Sequence, residues 1–386
     1  MFVVPKVKFG DVVKEVKNKI DRNNNPYEYY VAGDHMDSED LTIHRRGCFA
    51  TDDVGPAFIR EFRKGQVLYG SRRTYLKKVA VADFDGVTAN TTFVLETKDQ
   101  NVLLQELLPF IMLTDNFTKW SIGKSKGSTN PYILFSDLAD YEFDLPPIEE
   151  QRKLATVLWK MFRLKEGYVE LQHQSDQLVQ SQFIEMFGDQ KTNPLNLPVS
   201  TLGNTCTFYT GTGFPNEYQG NTTAPYPFYK VGDISRNVQN GYKYLFDCEN
   251  YVDFQIIELI RGAIIPEGTV VFAKIGEALR LNRRAITSQE CLVDNNAMGI
   301  KPNEEILNIE YFFYFMKMLD MSDYSASTTL PSVRKSTLEA VSILVPKIET
   351  QKTFASFVQQ FDKSKFVLQE TLKYDKISYF SMIKSA

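Results

Sequence analysis

Apolar residues between positions 146 and 189 recur at alternating steps of three and four residues. The series consists of Leu154, Val157, Met161, Leu164, Tyr168, Leu171, Ser175 and Leu178. A narrow seam of this kind is typical of a helix that pairs with another helix, whereas a helix on a globular core shows a wider stripe. Pro146 and Pro147 precede the seam and Gly188 follows it, as at a helix start and stop. At about 1.5 Å per residue the predicted helix is roughly 55–60 Å long, and it needs a partner.

A second helix with the same signature is predicted near the C-terminus, over residues 346–386. Its opening repeats the first helix 200 residues later, with Pro346, Ile348, Glu349 and Gln351 in place of Pro146, Ile148, Glu149 and Gln151. Its seam positions are Phe354, Phe357, Phe361 and Leu368, and the seam weakens at Ser364, Thr371 and Asp375. Two long helices separated by a compact domain most simply run antiparallel, so the pattern predicts an antiparallel coiled coil within one chain.

The regions outside the helices repeat as well. Residues 64–73 align with residues 267–276, and both regions mix predicted helices with strands rich in β-branched and aromatic residues. We therefore predict an α+β fold, with two mixed α/β domains in a pseudo-twofold arrangement, separated by the two long antiparallel coiled-coil helices. The predicted segments are a first domain at 1–145, a helix at 146–189, a second domain at 195–345 and a helix at 346–386.

Composition narrows the class of protein. The chain of 386 residues is 43% hydrophobic and 24% charged, as in an ordinary soluble protein, and it has no apolar run of membrane-spanning length and no signal peptide pattern. Its four cysteines are far apart and its three histidines, His35, His44 and His173, are not clustered in the sequence. We expect free thiols, no metal site and a cytoplasmic location without a membrane partner.

Basic clusters are the main functional signal. They occupy the same place in both copies, around a strand, a turn and a strand, where a single acid, Glu61 or Glu277, accompanies each cluster. The candidate DNA contacts are Arg63, Lys64, Arg72, Arg73, Lys77 and Lys78 in the first copy and Lys274, Arg280, Arg283 and Arg284 in the second. Further candidates are Arg45, Arg46, Lys124 and Lys126, with a region expected to match the last two at Arg334 and Lys335.

Arginine and lysine at these positions suit DNA because they neutralise phosphates and can read guanine edges. The alternative is a solvated strand edge that carries cations to block aggregation. The net charge of −4 counts against a protein that coats nucleic acid indiscriminately, but the placement of positive charge decides the question. The repetition of the clusters favours DNA binding.

Enzyme motifs are incomplete. Asn25-Pro26-Tyr27 and Asn130-Pro131-Tyr132 each lack the second proline of the Asn-Pro-Pro-Tyr loop of adenine-N6 methyltransferases. The glycines of residues 210–214 lack the strand–loop–helix setting of a cofactor loop. No catalytic triad or carboxylate pair is visible, so we predict no catalytic residues.

Several segments together resemble a known family. Leu145 to Gln151 read LPPIEEQ and open a long helix that ends in QSQFIEMFGD, and both the segment 64–96 and the segment 264–302 are similar to target recognition domains. In this respect the chain resembles the specificity (S) subunit of type I restriction–modification systems. The second helix departs from the pattern, with VPKIETQ at its start and no MFGD-like close.

The resemblance implies a non-catalytic subunit that binds double-stranded DNA. Each target recognition domain would read one half of a bipartite, asymmetric site, and the helices would set the spacer and dock two methylation subunits. The chain itself would hold no cofactor, because the methylation subunits bring S-adenosylmethionine and restriction subunits bring ATP and Mg²⁺. Two alternatives remain at this stage. One is an adaptor or stand-alone DNA-binding protein, and the other, a self-sufficient methyltransferase, would need the missing catalytic loops.

Overall fold

Four strands of the central sheet follow the same order in the two halves of the chain. The structure, a computed structural model, describes residues 5–325 and 331–363, and these divide into a first unit at 5–167 and a second unit at 168–363. The strands of the first unit are β1 (Lys6–Lys8), β2 (Val13–Val16), β3 (Tyr29–Val31), β4 (Gly47–Cys48), β5 (Phe58–Phe62), β6 (Val67–Gly70), β7 (Val79–Val81), β8 (Gly86–Ala89), β9 (Thr92–Thr97) and β10 (Glu142–Asp144). Its helices are α1 (Phe9–Val12), α2 (Leu108–Met112), α3 (Asp115–Lys124), α4 (Phe135–Ala139) and the beginning of α5 (Ile148–Phe187), with short 3-10 helices at Arg22–Asn24 and Thr74–Leu76.

The second unit begins within α5. Its strands are β11 (Val199–Thr201), β12 (Cys206–Thr210), β13 (Tyr226–Tyr229), β14 (Tyr244–Leu245), β15 (Tyr251–Val252), β16 (Val270–Ala273), β17 (Arg284–Thr287), β18 (Leu292–Val293), β19 (Ala297–Pro302) and β20 (Ser342–Leu344). Its further helices are α6 (Leu202–Thr205), α7 (Val231–Gln239), α8 (Phe254–Leu259), α9 (Glu277–Arg280), α10 (Ile309–Met318), α11 (Lys335–Glu339) and α12, helical over residues 348–363, with 3-10 helices at Asn216–Tyr218 and Met321–Tyr324.

Sheet topology demonstrates the duplication. The antiparallel order β2-β9-β6-β7 of the first unit returns as β12-β19-β16-β17 in the second, where β14 adds a parallel edge strand. A second sheet contains the parallel pair β3–β8 in the first unit and β13–β18 in the second. The two-stranded ribbon β1–β10 likewise matches β11–β20. The predicted α+β class and internal repeat are confirmed.

The central sheet of each unit is buried on both faces. In β6, Val67 and Tyr69 pack on the helical side, while Leu68 points to a second core shared with the other sheet. The second unit repeats this division, with Val270 and Val271 of β16 in separate cores. Because successive side chains of a strand point to opposite faces, two-sided burial requires a continuous apolar run.

A buried glutamine fixes the start of each long helix to its own unit. Gln151 accepts a hydrogen bond from the amide of Leu104 at 3.0 Å and donates to the carbonyls of Val102 and Pro146, both at 2.8 Å. Gln351 likewise accepts from the amide of Asn308 at 2.7 Å and donates to the carbonyls of Ile306 at 3.0 Å and Pro346 at 2.8 Å. The recurring glutamine in the sequence therefore marks a recurring helix–domain joint.

Apart from the seam residue Leu154, which packs on the first unit, helix α5 is buried in its units through residues outside the predicted seam. Ala155, Leu158 and Phe162 are buried in the first unit and Val179, Phe183 and Phe187 in the second. The seam residues Leu164, Leu171 and Leu178 stay 64%, 49% and 50% exposed. The predicted long helix is confirmed, and its bounds, Ile148–Phe187, lie within two residues of the expected 146–189.

The last turns of α5 contact the first turns of α12 in the second unit. The Phe354 ring lies 5.4 Å from that of Phe183 and 5.5 Å from that of Phe187, measured between centroids. Phe354 is buried, and Phe357 and Phe361 pack against the same core, so the aromatic residues of the predicted seam serve the second unit here. The rest of the C-terminal seam, including Leu368, lies outside the described residues, and an antiparallel coiled coil stays a prediction.

All four cysteines are free, and burial raises the pKa of the Cys206 and Cys248 thiols to about 12. No helix within residues 5–325 and 331–363 combines the length and hydropathy of a membrane span.

Candidate nucleic-acid interface

The turn that follows β6 is held against a distant segment of the first unit. The Arg73 amide donates to the carbonyl of Pro131 at 2.7 Å, and the amide of Ile133 donates to the carbonyl of Ser71 at 2.9 Å. Arg73 adopts a left-handed backbone conformation, φ 50°, which is unfavourable for a residue with a Cβ and persists where neighbouring structure enforces it. The turn is therefore fixed, and its long side chains start from a defined backbone.

The second unit builds the same turn with other side chains. The amide of Gly276 donates to the carbonyl of Pro331 at 2.8 Å, and the amide of Val333 donates to the carbonyl of Lys274 at 2.9 Å. Gly276 has a positive φ of 75°, in the position of Arg73. Ser71-Arg72-Arg73 and Lys274-Ile275-Gly276 are thus equivalent, as the alignment of the two segments predicted.

Two segments far apart in sequence form one basic surface in the first unit. Backbone bridges join Tyr132 to both Arg72 and Lys126, and residues directly opposite in such bridges share a face. The Thr74 and Ser125 hydroxyls, 3.2 Å apart, hold the Lys124 loop to the turn. We name this region the Arg72 surface. It consists of Arg72, Arg73, Tyr75, Lys124, Lys126 and Tyr132.

Charge is uncompensated on much of the Arg72 surface. Arg72 and Arg73 are exposed and pair with no acid among the described residues, whereas Lys126 pairs with Asp137 at 3.0 Å. Lys124 lies 4.9 Å from the centroid of the Trp120 ring. Tyr75 and Tyr132 are 53% and 40% exposed, so aromatic area stands beside the cations. The surface can neutralise phosphates and also offer rings for packing.

Half of the other predicted cations of the first unit, namely Arg45, Arg63 and Lys77, have acidic partners that the sequence count missed. Lys77 pairs with Glu39 at 2.8 Å and with Asp115 at 3.3 Å. Burial of Lys77 lowers its pKa, but the two carboxylates raise it by more, so the pKa is above its ordinary value. Its neighbour Lys78 donates to the carbonyl of Gly33, and burial lowers its pKa. Glu39 and Asp115 belong to segments distant in the sequence from Lys77, so counting one acid in the sequence around the cluster underestimated the acids that contact it.

The remaining candidates of the first unit lie near the second sheet. Arg63 pairs with Glu61 and, at 2.9 Å, with Asp85, and Arg45 pairs with Asp37. The hydrogen bond from Arg63 to Asp85 raises the pKa of the guanidinium. The side chain of Lys64 is exposed, and the guanidinium of Arg46 lies 3.8 Å above the ring of Tyr29.

The second unit presents a smaller set of cations, which we name the Lys274 surface: Lys274, Arg280, Arg283, Arg334 and Lys335. Arg280 pairs with Glu277 at 2.8 Å, and Lys335 pairs with Glu339 at 3.6 Å. The hydrogen bonds around Lys274 bring the turn beside the segment that leads to Arg334. Arg283 is half-buried, and Arg334 is exposed.

Two sequence expectations about the second unit need correction. Arg284 is only 3% exposed, and its guanidinium donates to the Asn282 side chain and to the carbonyl of Leu319, both at 2.7 Å. Burial lowers its pKa to about 10, and its position inside β17 gives it a structural role. Lys335 begins α11, the counterpart of α4, and Arg334 is the N-cap of that helix, so the two residues do not match Lys124 and Lys126.

Tertiary structure also joins residues that the sequence kept apart. Tyr132 was not predicted to belong to the basic surface, because only the bridges to Arg72 and Lys126 place it there. His44 was expected to be unclustered, yet its Nε2 lies 3.1 Å from Asp40 and 3.9 Å from Glu166. The helix brings in this partner from 122 residues away, which the sequence spacing does not reveal.

The incomplete enzyme motifs serve as structural turns. Pro131 accepts the hydrogen bond from Arg73, and Asn25 caps the turn that leads to Tyr27, whose hydroxyl donates to Glu61 at 2.6 Å. Burial and this carboxylate raise the pKa of Tyr27 to about 12. After Thr210, the ring of Phe214 stacks on that of Phe228 with centroids 3.9 Å apart, and the next element is a short 3-10 helix.

Comparison with known proteins gives a consistent picture. The family model described as "Type I restriction modification DNA specificity domain" matches residues 6–170 and again residues 194–377. The Type I restriction enzyme MjaIX specificity subunit of Methanocaldococcus jannaschii is 25% identical over 320 residues, which cover 78% of this chain and 72% of that protein. The Type I restriction enzyme EcoDI specificity subunit of Escherichia coli is 28% identical over 154 residues, 40% of this chain.

The matched lengths differ among these relatives. The match spans about a third of the EcoDI subunit, 33% of its length. A solved structure, the Type-I restriction-modification system S subunit from M. genitalium, covers 98% of this chain with 95% of its own length, at 14% identity and a TM-score of 0.57. At that identity the likeness concerns the fold, which is shared along nearly the whole chain.

Proposed function

Because the chain belongs to the type I restriction modification DNA specificity family, we propose that each of its two units reads one half of a bipartite, asymmetric double-stranded DNA site. Family membership confirms the prediction of a specificity component that is not itself an enzyme. The target sequence would be read by side chains of the two units, and the chemistry on DNA would belong to other subunits.

One observation carries the proposal. The same pair of backbone hydrogen bonds holds the turn after β6 and the turn after β16, but the side chains presented are Ser71-Arg72-Arg73 in one unit and Lys274-Ile275-Gly276 in the other. A common scaffold with unlike side chains is what two readers of different sequences require. A true homodimer would instead present two identical readers and favour a palindromic site.

Charge on the two surfaces supports contact with DNA. Arg72, Arg73 and Lys124 have no acidic partner among the described residues, and each phosphate that a cation neutralises releases counterions. On the Lys274 surface, Lys274 and Arg334 are the corresponding cations. Cations that already pair with acids, among them Lys77 and Arg63, would have to break an ion pair with a carboxylate before they could bind a DNA phosphate. We therefore place them at the edge of the surface that contacts DNA. Arg284 is left out because it is buried.

The helices complete the proposal. The exposed seam residues of α5, among them Leu164, Leu171 and Leu178, offer apolar area for a helical partner. We propose that α5 and the C-terminal helix set the unread spacer between the half-sites and dock two methylation subunits. Restriction subunits join this assembly, S-adenosylmethionine, ATP and Mg²⁺ bind to the partner subunits, and the complex works in the cytoplasm.

Mapping of methylated adenines tests the reading of half-sites. In cells that express the chain with its methylation subunit, Arg72→Ala combined with Arg73→Ala should weaken binding by about 1–3 kcal/mol for each base that the arginines read, and it should relax one half-site only. If the two side chains bind only phosphates, the dependence of affinity on salt should fall by about 0.9 in log–log slope for each phosphate.

A control variant that removes one positive charge elsewhere in the unit shows whether a general loss of positive charge has the same effect. Lys8→Ala removes an exposed cation that pairs with Asp140 in the same unit, away from the turn, and should leave the methylated sequence unchanged. If the arginine variant methylates the original site with wild-type efficiency and salt dependence, the Arg72 surface does not bind DNA. The alternative of an adaptor unrelated to restriction predicts co-purification with some other obligate partner in place of two methylation subunits.

A further inference from the structure

Three side chains with metal-binding atoms meet where a loop of the first unit contacts α5. Asp40 and His44 belong to the loop before β4, and Glu166 lies in α5. The Nε2 atom of His44 is 3.1 Å from a carboxylate oxygen of Asp40 and 3.9 Å from one of Glu166, and one ligand atom from each residue lies within 4.8 Å of the other two. The group joins residues that are separated by more than 120 positions in the chain.

Among the described residues, the two carboxylates have no lysine or arginine partner. Asp40 accepts a hydrogen bond from the Thr42 amide, and Glu166 accepts one from the Thr42 hydroxyl. Over the residues that the structure describes, neither forms an ion pair with lysine or arginine, and His44 is the one basic side chain in contact with them. Two like charges brought together repel each other unless a cation or a proton joins them. Arg45 beside the cluster is already engaged with Asp37.

The spacing of the ligand atoms suits a small divalent ion. With metal–ligand bonds of about 2.0–2.2 Å, the ligands of a tetrahedral zinc site are about 3.3–3.6 Å apart. The two separations from His44 lie on either side of that range, and the ligand atoms of all three residues lie within 4.8 Å of one another, so side-chain shifts of up to about 1 Å would close the site. One imidazole with two carboxylates suits Zn²⁺ and its neighbours better than Mg²⁺ or Ca²⁺, which prefer oxygen ligands alone.

We propose that Asp40, His44 and Glu166 form a divalent metal site, with Zn²⁺ the best-fitting ion and water as the fourth ligand. The Thr42 hydroxyl, which donates to Glu166, would orient that carboxylate, as partners of metal ligands commonly do. Because one ligand comes from α5 and two come from the loop, the ion would fasten the loop to the helix. The same loop leads directly into Arg45 and Arg46, so the metal would also restrain two predicted DNA contacts.

Metal binding to the purified full-length chain tests the proposal. After removal of metal with EDTA, titration with Zn²⁺ should show one site and raise the melting temperature, and Co²⁺ should give the visible absorption of a tetrahedral site. Glu166→Gln and His44→Ala should each weaken Zn²⁺ binding at least tenfold, since loss of even a supporting partner of a ligand costs about 10–100-fold.

Matched controls lie on the same helix. Glu149→Gln removes an exposed carboxylate and His173→Ala removes an exposed imidazole, both away from the cluster, and neither should change Zn²⁺ affinity. Because His44 is exposed, His44→Ala should fold, which the melting curve without metal will verify. If wild-type protein shows no Co²⁺ spectrum, or if the control variants lose as much affinity as the cluster variants, the cluster is an ion pair only and the proposal fails.

Discussion

Replacement of Gln351 should detach the start of α12 from the second unit. Its side chain makes three hydrogen bonds, with the amide of Asn308 and the carbonyls of Ile306 and Pro346, and it is fully buried. A typical intramolecular hydrogen bond contributes about 1 kcal/mol, and a buried group left without its partner costs about 1–3 kcal/mol. We therefore expect Gln351→Ala to lower the free energy of unfolding of the second unit by about 3 kcal/mol.

Hydrogen exchange resolves this loss by position. A loss of about 3 kcal/mol corresponds to roughly a hundredfold, since about 1.4 kcal/mol is a factor of ten. In Gln351→Ala, the amides of α12 and of Asn308 that exchange through unfolding of the second unit should therefore exchange roughly a hundredfold faster than in wild type. Urea unfolding of the full chain supplies the energy, read from each transition separately because two units need not unfold together. Gln174→Ala is the control. That glutamine is exposed on α5, and among the described residues its side chain bonds to Glu170 alone, at 2.7 Å, so its loss should change stability by no more than about 0.5 kcal/mol.

A small effect would refute the reasoning. If Gln351→Ala costs less than about 1 kcal/mol, or if its faster exchange is spread evenly over both units, the glutamine is not the joint between helix and domain. The equivalent change, Gln151→Ala, should act on the first unit in the same way, because the geometry of its three bonds is the same.

Three further predictions address the helix, the buried arginine and the acidic side of the pH range. Insertion of seven residues next to Gly167, an exposed position within α5, should lengthen the spacer in a methylation map and leave both half-sites unchanged. Recovery of the original spacer would contradict the proposal that the helices set the spacer length. Arg284→Met should lower the melting temperature, since the carbonyl of Leu319 loses its donor at a cost of about 1–3 kcal/mol, while the folded protein keeps its DNA affinity; a selective loss of affinity would restore Arg284 as a contact. The pKa of Asp85 is lowered because its carboxylate accepts hydrogen bonds from the Lys64 amide and from Arg63. The stabilisation that this carboxylate provides is therefore fully present above its pKa in the unfolded chain, about 3.9. It is lost as the pH falls through the lower pKa of Asp85 in the folded protein. Asp85→Asn should therefore differ from wild type in urea midpoint at pH 7 and converge with it in acid, and a constant difference across that range would show that the charge is not responsible.

Local patterns in the sequence were enough for the architecture. The three- and four-residue spacing, flanked by prolines and a glycine, predicted α5 nearly to its ends, because helix periodicity and helix stops depend on neighbouring residues. The 200-residue recurrence of Gln151 as Gln351 predicted the start of the second helix, and the recurrence of segment 64–73 located the equivalent turns. The resemblance to specificity subunits rested on the same stretches and led to the family that the comparison shows.

Only the tertiary structure decided which charges are available and which side chains meet. Arg284 looks like its neighbours in the sequence, yet strand β17 carries it into the interior, where the carbonyl of Leu319 accepts its hydrogen bond. Glu39 and Asp115 neutralise Lys77 from elsewhere in the first unit, and Glu166 reaches His44 across more than 120 residues. Burial and ion pairing depend on contacts between segments that are distant in the sequence. Those contacts are determined by how the sheets and helices pack, and local sequence periodicity does not predict that packing.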